Sequence, residues 1–283
     1  MKVAFCFSGQ IREINKSVDY WKKLVDKYQA DVYGSFWDTS VSGNPHSIDS
    51  SVNLPDEDKK LFLDTFNPKK VEFEFFDSFK NTIKIFNQEI SVPIWVEAKN
   101  SYERNVNFGL GQEVVDYIME GNLFSMWYKV WRANLLSNQE KYDIVVRART
   151  DVFMDETMEI EENEYLNLPK GWRYNIHWVD CGGPIDCFAY GSPEIMNYYS
   201  SVIFYLSRYL KEGDYLFPAE NILSSHLSGK EILVRGLGVN LFFYRDPEKS
   251  FNSGSSFGED VFNTKIKYHN RGKDHNFTFY KNR

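Results

Sequence analysis

The sequence predicts an α/β fold, a mostly parallel sheet flanked by helices, organised as a single domain with a C-terminal tail. Three observations predict it. Val3 to Phe7 is a continuous apolar run closed by Ser8-Gly9, the pattern of a strand buried on both faces. Ile14, Val18, Trp21, Leu24, Val25 and Tyr28 follow at helical spacing. Ala30 to Trp37 is then a second apolar run, ended by Asp38. Strand-helix-strand alternation of this kind implies parallel strands joined by right-handed crossovers.

The rest of the chain continues the pattern less regularly. A loop rich in Ser, Asn and Pro leads to a short helix after Pro55, and Lys70 to Phe76 reads as a third strand. Gln112 to Gln139 reads as helical, with a break at Gly121, and feeds a fourth strand over Tyr142 to Ala148. Past Asp151 come an acidic stretch and a Pro169-Lys170-Gly171 turn, then strands over Trp172 to Trp178 and Ile185 to Tyr190. Ser192-Pro193-Glu194 is a helix-entry signal, because proline suits the first helical position and an acid the first turn. That helix is expected to run to Leu210, with another over Ala219 to Leu227 and short strands over Glu231 to Val234 and Val239 to Tyr244. No repeat or low-complexity linker divides the chain, so residues 1–262 read as one domain and 263–283 as a basic, aromatic tail.

Composition narrows the function. A net charge of −7 argues against a nucleic-acid surface as the main feature. The charge is uneven: the tail holds Lys265, Lys267, Arg271, Lys273, Lys281 and Arg283 against Asp274 alone, which suits a local anionic ligand or a solvated end. Cys6, Cys181 and Cys187 lack metal-ligand spacing and read as reduced, buried thiols. No apolar run reaches the roughly 18 residues of a membrane helix, and the first apolar stretch is too short for a signal peptide, so the expected location is cytoplasmic.

In open α/β sheets ligands lie outside the carboxyl ends of the strands. The residues ending the strands are therefore the candidates. Ser8 and Gly9 permit close approach of backbone to a ligand, and Arg12 suits a phosphate. Neither a dinucleotide fingerprint nor a Walker sequence is present. Asp38 closes the second strand. Arg147, Arg149 and Asp151 fall on one face if the fourth strand continues through them, which suits a divalent ion bridging a pyrophosphate, or alternatively an internal Arg–Asp pair. On the preceding helix, Lys129 is a candidate phosphate or sugar contact, while Trp127, Val130 and Trp131 form a core-facing side. Asp186 and Glu220 are the candidate carboxylates for taking a proton, and His226 is a candidate ligand or shuttle against the simpler expectation of a structural histidine.

Four blocks together carry a resemblance. They are Val3-Ala4-Phe5-Cys6-Phe7-Ser8-Gly9-Gln10-Ile11-Arg12, Ala30-Asp31-Val32-Tyr33 through Trp37-Asp38, Tyr142 through Asp151, and Ile185-Asp186-Cys187-Phe188-Ala189-Tyr190-Gly191. Their order and spacing resemble bacterial and viral polysaccharide-biosynthesis proteins, glycosyltransferases of the GT-A type with a Rossmann-like sheet. The resemblance implies a nucleotide-diphosphate sugar as donor, a glycan or other hydroxyl acceptor, and a C-terminal segment that closes over the donor diphosphate. It also implies nucleotide contacts from the Ser8 to Arg12 loop and a divalent metal, Mn2+ or Mg2+, at an Asp-x-Asp place. Here Arg149 stands where the first acid is expected and only Asp151 remains. A guanidinium can itself neutralise a diphosphate leaving group. The alternatives are a non-catalytic nucleotide-sugar or glycan-binding protein on the same fold, and a nucleotidyltransferase, which the Ser8 to Arg12 loop fits poorly.

Overall fold

The computed structural model describes residues 1–41, 51–76, 79, 124–154, 158–169, 186–206, 222–223, 226–227, 229–230, 232–237, 241–243, 266–270, 273–277 and 279–280. Within them the chain forms an α/β fold around an eight-stranded, mostly parallel sheet. Strand β1 is Val3–Gln10 and helix α1 is Ile14–Tyr28. They are followed by β2 (Asp31–Trp37), a small hairpin of β3 (Thr39–Val41) and β4 (Ser51–Asn53), α2 (Asp56–Phe66) and β5 (Lys70–Glu74). Helix α3 (Ser125–Ser137) leads into β6 (Ile144–Ala148), β7 (Val152–Met154), β8 (Leu166–Pro169) and β9 (Ala189–Gly191). Helix α4 (Pro193–Ser200) continues as a 3₁₀ turn over Ser201–Phe204. The chain then gives β10 (Val234–Leu237), β11 (Leu241–Phe243), β12 (Ile266–Asn270), β13 (Lys273–Phe277) and β14 (Phe279–Tyr280).

The sheet order is β14-β10-β8-β9-β6-β1-β2-β5. Strands β5, β2, β1 and β6 are parallel neighbours, and β8, β10 and β14 are likewise parallel to one another. Strand β9 runs antiparallel between β6 and β8. The first four strands thus follow the order of a mononucleotide-binding half, and the inserted antiparallel strand departs from the dinucleotide-binding order. Because the other seven strands point one way, Gln10, Trp37, Glu74 and Ala148 all end on one rim.

Side-chain alternation along the central strands builds two cores. Phe5, Phe7, Ile144 and Val146 face α1 and α2, where they meet Trp21, Phe62 and Phe66. Phe7 packs edge-on to Trp21 and Phe62 with ring centres 5.5 and 5.6 Å apart. Ala4, Cys6 and Val145 face the other side, with Trp127, Ala133 and Tyr199 of α3 and α4. These rings serve the interior, and each fully buried Phe or Trp contributes about 1.5–3 kcal/mol or more of apolar burial.

Several expected elements differ. The predicted strand over Ile185 to Tyr190 begins only at Ala189, because Asp186 and Cys187 form a turn. The acidic stretch after Asp151 holds two short strands, β7 and β8, that its charged sequence hides. β7 pairs antiparallel with β11, and β8 lies inside the main sheet. The helix entered at Ser192 has that serine as its N-cap, accepting from the Ile195 amide at 3.4 Å, but its regular part ends at Ser200. The expected strand over 172–178, and most of the expected helix over 112–139 before Ser125, lie outside the described residues. In the tail, β12 and β13 pair as an antiparallel hairpin and β14 extends the main sheet on β10.

Candidate functional site

The rim at the ends of β1 and β6 gathers most of the candidate residues. Gly9 sits at φ +109°, a conformation that a side chain resists, and a Cβ built there would meet none of the described residues within 4 Å. Glycine thus lets the chain turn and leaves the backbone uncovered by the described residues. Beyond it, the Arg12 amide donates to the Thr150 hydroxyl at 3.1 Å, and that hydroxyl donates to the Gln10 carbonyl at 3.4 Å. These bonds tie the loop after β1 to the loop after β6 across 138 residues of sequence. The Arg12 guanidinium donates to the Gln10 side-chain oxygen. Ser8 is buried, and its hydroxyl has no partner among the described residues.

At the end of β6 the strand stops at Ala148, so Arg147, Arg149 and Asp151 do not share one strand face as expected. Arg147 is opposite Cys6 in the β1 register and is buried on the α3–α4 side. Its Nη1 donates to the Ala148 carbonyl, and its Nε has no partner among the described residues. Burial pulls its pKa down, opposed by the nearby Tyr199 and Asp186. Arg149 instead turns onto Asp151: Nε donates to Oδ1 at 2.8 Å and Nη2 to Oδ2 at 2.6 Å. The alternative of an internal Arg–Asp pair is therefore what forms. Burial disfavours the charge on Arg149, but Asp151 outweighs it and the net shift is upward.

Asp186 completes this corner. It is 6% exposed, lies in the turn before β9 rather than in a strand, and its Oδ1 accepts from the Cys187 thiol at 3.4 Å. Cys187 in turn receives Arg149 Nη1 at 3.5 Å. The Tyr199 hydroxyl donates to the Asp186 carbonyl at 3.1 Å, fixing the turn from helix α4. Sequence reasoning missed Tyr199, since a residue 13 positions away on a helix gives no local sign of that bond. Cys6 and Cys187 are free and buried, and burial raises the Cys6 thiol to about 12, so neither is a thiolate nucleophile. Cys181 lies outside the described residues.

Other candidates are placed differently. Asp38 is buried at the end of β2, and its carboxylate accepts from the Phe76 amide at 3.3 Å, which anchors the exit of β5. Lys129 is 0% exposed; its ammonium bonds to Glu74 and lies 4.1 Å from the centre of the Trp37 ring. A fully buried, carboxylate-paired ammonium is interior structure rather than a ligand contact, and sequence spacing alone did not reveal that Glu74 faces it. Arg132 likewise grips Glu72, through Nε at 2.9 Å and Nη2 at 2.5 Å. His226 is buried against the Tyr198 ring, centres 4.2 Å apart, with Nε2 2.7 Å from the Tyr198 carbonyl, and burial lowers its pKa to about 4. It is structural. Glu220 lies outside the described residues.

A divalent ion at this place would need at least one carboxylate oxygen free to ligate it, with water and ligand phosphates filling its other positions. Both oxygens of Asp151 accept from Arg149, and among the described residues no three His, Cys, Asp or Glu side chains are grouped to hold an ion. The residues at Asp151 thus do not fit the metal that the sequence resemblance implies. No helix of the described residues is long and apolar enough to cross a membrane. Neither a protein-family model nor a curated protein sequence matches the chain.

Proposed function

We propose that this protein is a nucleotide-sugar-dependent glycosyltransferase of the GT-A type, with its donor site at the ends of β1 and β6. One observation carries the reading: the space over Gly9, open among the described residues, is bordered by the Arg12 loop, which Thr150 ties to the arginine-bearing turn after β6. Backbone without a side chain, beside guanidinium groups, suits a diphosphate. A ligand of this kind brings two or three negative charges to a corner where Arg12, Arg147 and Arg149 supply positive charge.

In the proposed reaction an acceptor hydroxyl oxygen bonds to the anomeric carbon of the donor. The bond from that carbon to the diphosphate oxygen breaks, and its electron pair leaves with the nucleoside diphosphate. The arginines stabilise the charge developing on the leaving group. Asp186 is the carboxylate assigned to the acceptor proton, if the anomeric configuration inverts. Its turn is held by Tyr199, which makes its position independent of the ligand.

The test is a thermal-shift panel of nucleoside diphosphates and their sugar conjugates, followed by transfer assays with the ones that bind. A ligand at 100 times its Kd raises stability by about 2.7 kcal/mol. Asp186→Asn is expected to keep donor binding while losing transfer by about two orders of magnitude, the scale of general-base catalysis. If no nucleoside diphosphate or conjugate shifts the melting temperature, the reading is wrong. A second reading, ligand binding without turnover, is favoured by the enclosure of Asp186 beside Cys187 and predicts binding with no transfer to any acceptor.

A further inference from the structure

The corner at the end of β6 contains a buried carboxylate that must be compensated, since an isolated charge there would cost several kcal/mol. We propose that Arg149 is the resident cation of this site, occupying the place of a divalent ion, so that a pyrophosphate-bearing ligand is bound as the free anion rather than as its metal complex. The inference rests on the reading of this rim as a diphosphate site.

Three features support it. The first is geometric. Asp151 takes two of the five guanidinium N–H donors at 2.8 and 2.6 Å, which holds the arginine as a planar fork instead of a mobile chain. The second is exposure. The Arg149 side chain is 19% exposed and that of Asp151 is 2%, so the pair turns its cation outward and its carboxylate inward. An approaching ligand meets the guanidinium, and an approaching divalent ion meets a like charge. The third is the neighbourhood. The Arg149 fork lies against a cysteine thiol, which the surrounding burial keeps protonated and which is a poor partner for a hard cation. Arg147, buried one strand position before Ala148, adds a second positive charge to the same corner. Asp186 supplies a second carboxylate on the far side of that thiol, so it is the Arg149 guanidinium lying on Asp151 that keeps a divalent ion from the two acids.

The full-length protein can be tested with inorganic pyrophosphate as the probe, by calorimetry in EDTA and in excess MnCl2. The expected result is saturable binding in EDTA, with Mn2+ leaving the affinity unchanged or weakening it. Arg149→Lys, which keeps the charge but not the fork, is expected to weaken metal-free binding at least tenfold. Arg149→Ala is expected to weaken it further and to gain Mn2+ binding, read by the electron-spin signal of the ion and lost again in Arg149→Ala/Asp151→Ala. Because the Ala variant removes both Arg149 hydrogen bonds from buried Asp151 and can fail to fold, the wild-type measurement and the Lys variant decide the matter. Pyrophosphate binding that requires Mn2+, or that is undiminished in Arg149→Lys, overturns the inference and leaves the glycosyltransferase reading standing. Metal-free pyrophosphate binding in a protein that transfers no sugar does the reverse. Absence of pyrophosphate binding under both conditions overturns both.

Discussion

Arg149 closes a two-bond fork on Asp151, with Nε and Nη2 at 2.8 and 2.6 Å from the two carboxylate oxygens, in the turn that follows the fourth parallel strand. Both groups belong to a segment of three residues, yet neither is given over to solvent. The pair is therefore a structural element of the rim as well as a feature of its electrostatics.

Removing one member should show this. Asp151→Ala leaves the Arg149 guanidinium without its carboxylate in a buried turn, and breaking a buried pair typically costs about 3–5 kcal/mol. Urea denaturation of the variant should show a loss of that order. A loss below about 1 kcal/mol would mean that the pair is screened as a surface pair is.

Gly9 should be intolerant for a reason unrelated to crowding. Its φ of +109° disfavours any side chain, although no described residue would lie within 4 Å of a Cβ at that position. Gly9→Ala is expected to cost about 1–3 kcal/mol in backbone strain and to weaken nucleoside diphosphate binding by filling the space above the loop. Arg12→Ala should weaken the same binding by about 1.5–3 kcal/mol, the worth of a charge-assisted hydrogen bond. Unchanged calorimetric affinity in both folded variants would remove this loop from the site.

At the opposite end of the parallel strands, Glu140 receives Lys2 Nζ at 2.7 Å and Lys69 Nζ at 2.8 Å. Lys2 and Lys69 lower its pKa from 4.5 to about 2. A depressed carboxylate stabilises the fold above its unfolded value and ceases to do so as pH falls through its folded value. Glu140→Gln should therefore flatten the stability profile between about pH 4.5 and 2, and leave the slope near neutrality unchanged. The group is exposed, so the effect should shrink in high salt. An acid limb identical to wild type would show that the cluster does not persist in solution.

The tail should matter to the sheet itself. Strand β14 pairs with β10 through Val234↔Phe279 and Arg235↔Tyr280. Deleting residues 263–283 uncovers the edge of β10, and an uncovered parallel edge is prone to pair with another chain. The expected outcome is a lower melting temperature and concentration-dependent association in light scattering. A truncated protein that stays monomeric with an unchanged melting temperature would show that β14 is dispensable, and would return weight to the tail as a lid over the donor.

Several of these relationships were legible in the sequence. The continuous apolar runs of Val3 to Phe7 and Tyr142 to Ala148 announce strands buried on both faces, and Trp21, Leu24 and Val25 announce the helix that covers one of them. The ends of those strands could be read directly, and with them Gly9, Arg12 and Arg149 as residues of one rim. The short strands β7 and β8 were not legible. Met158, Ile160 and Leu166 are buried among acids whose charges face outward, and a run of three or four residues carries too little periodicity to separate strand from loop.

What the sequence by itself determined is the α/β class, the parallel core strands and the residues that close those strands on one rim, because hydrophobic periodicity and strand-helix alternation are local properties. Tertiary structure alone decided which charges remain available at those positions. Lys129 and Arg149 are both candidate phosphate contacts in the sequence, one on the helix before the fourth strand and the other just past that strand's end. In the folded protein Glu74 neutralises one inside the core, out of reach, while Asp151 braces the other at the surface of the rim. Such pairings depend on groups brought together from separate elements, or on the sense of a single turn, and the cost of burying an unpaired charge is what selects among them.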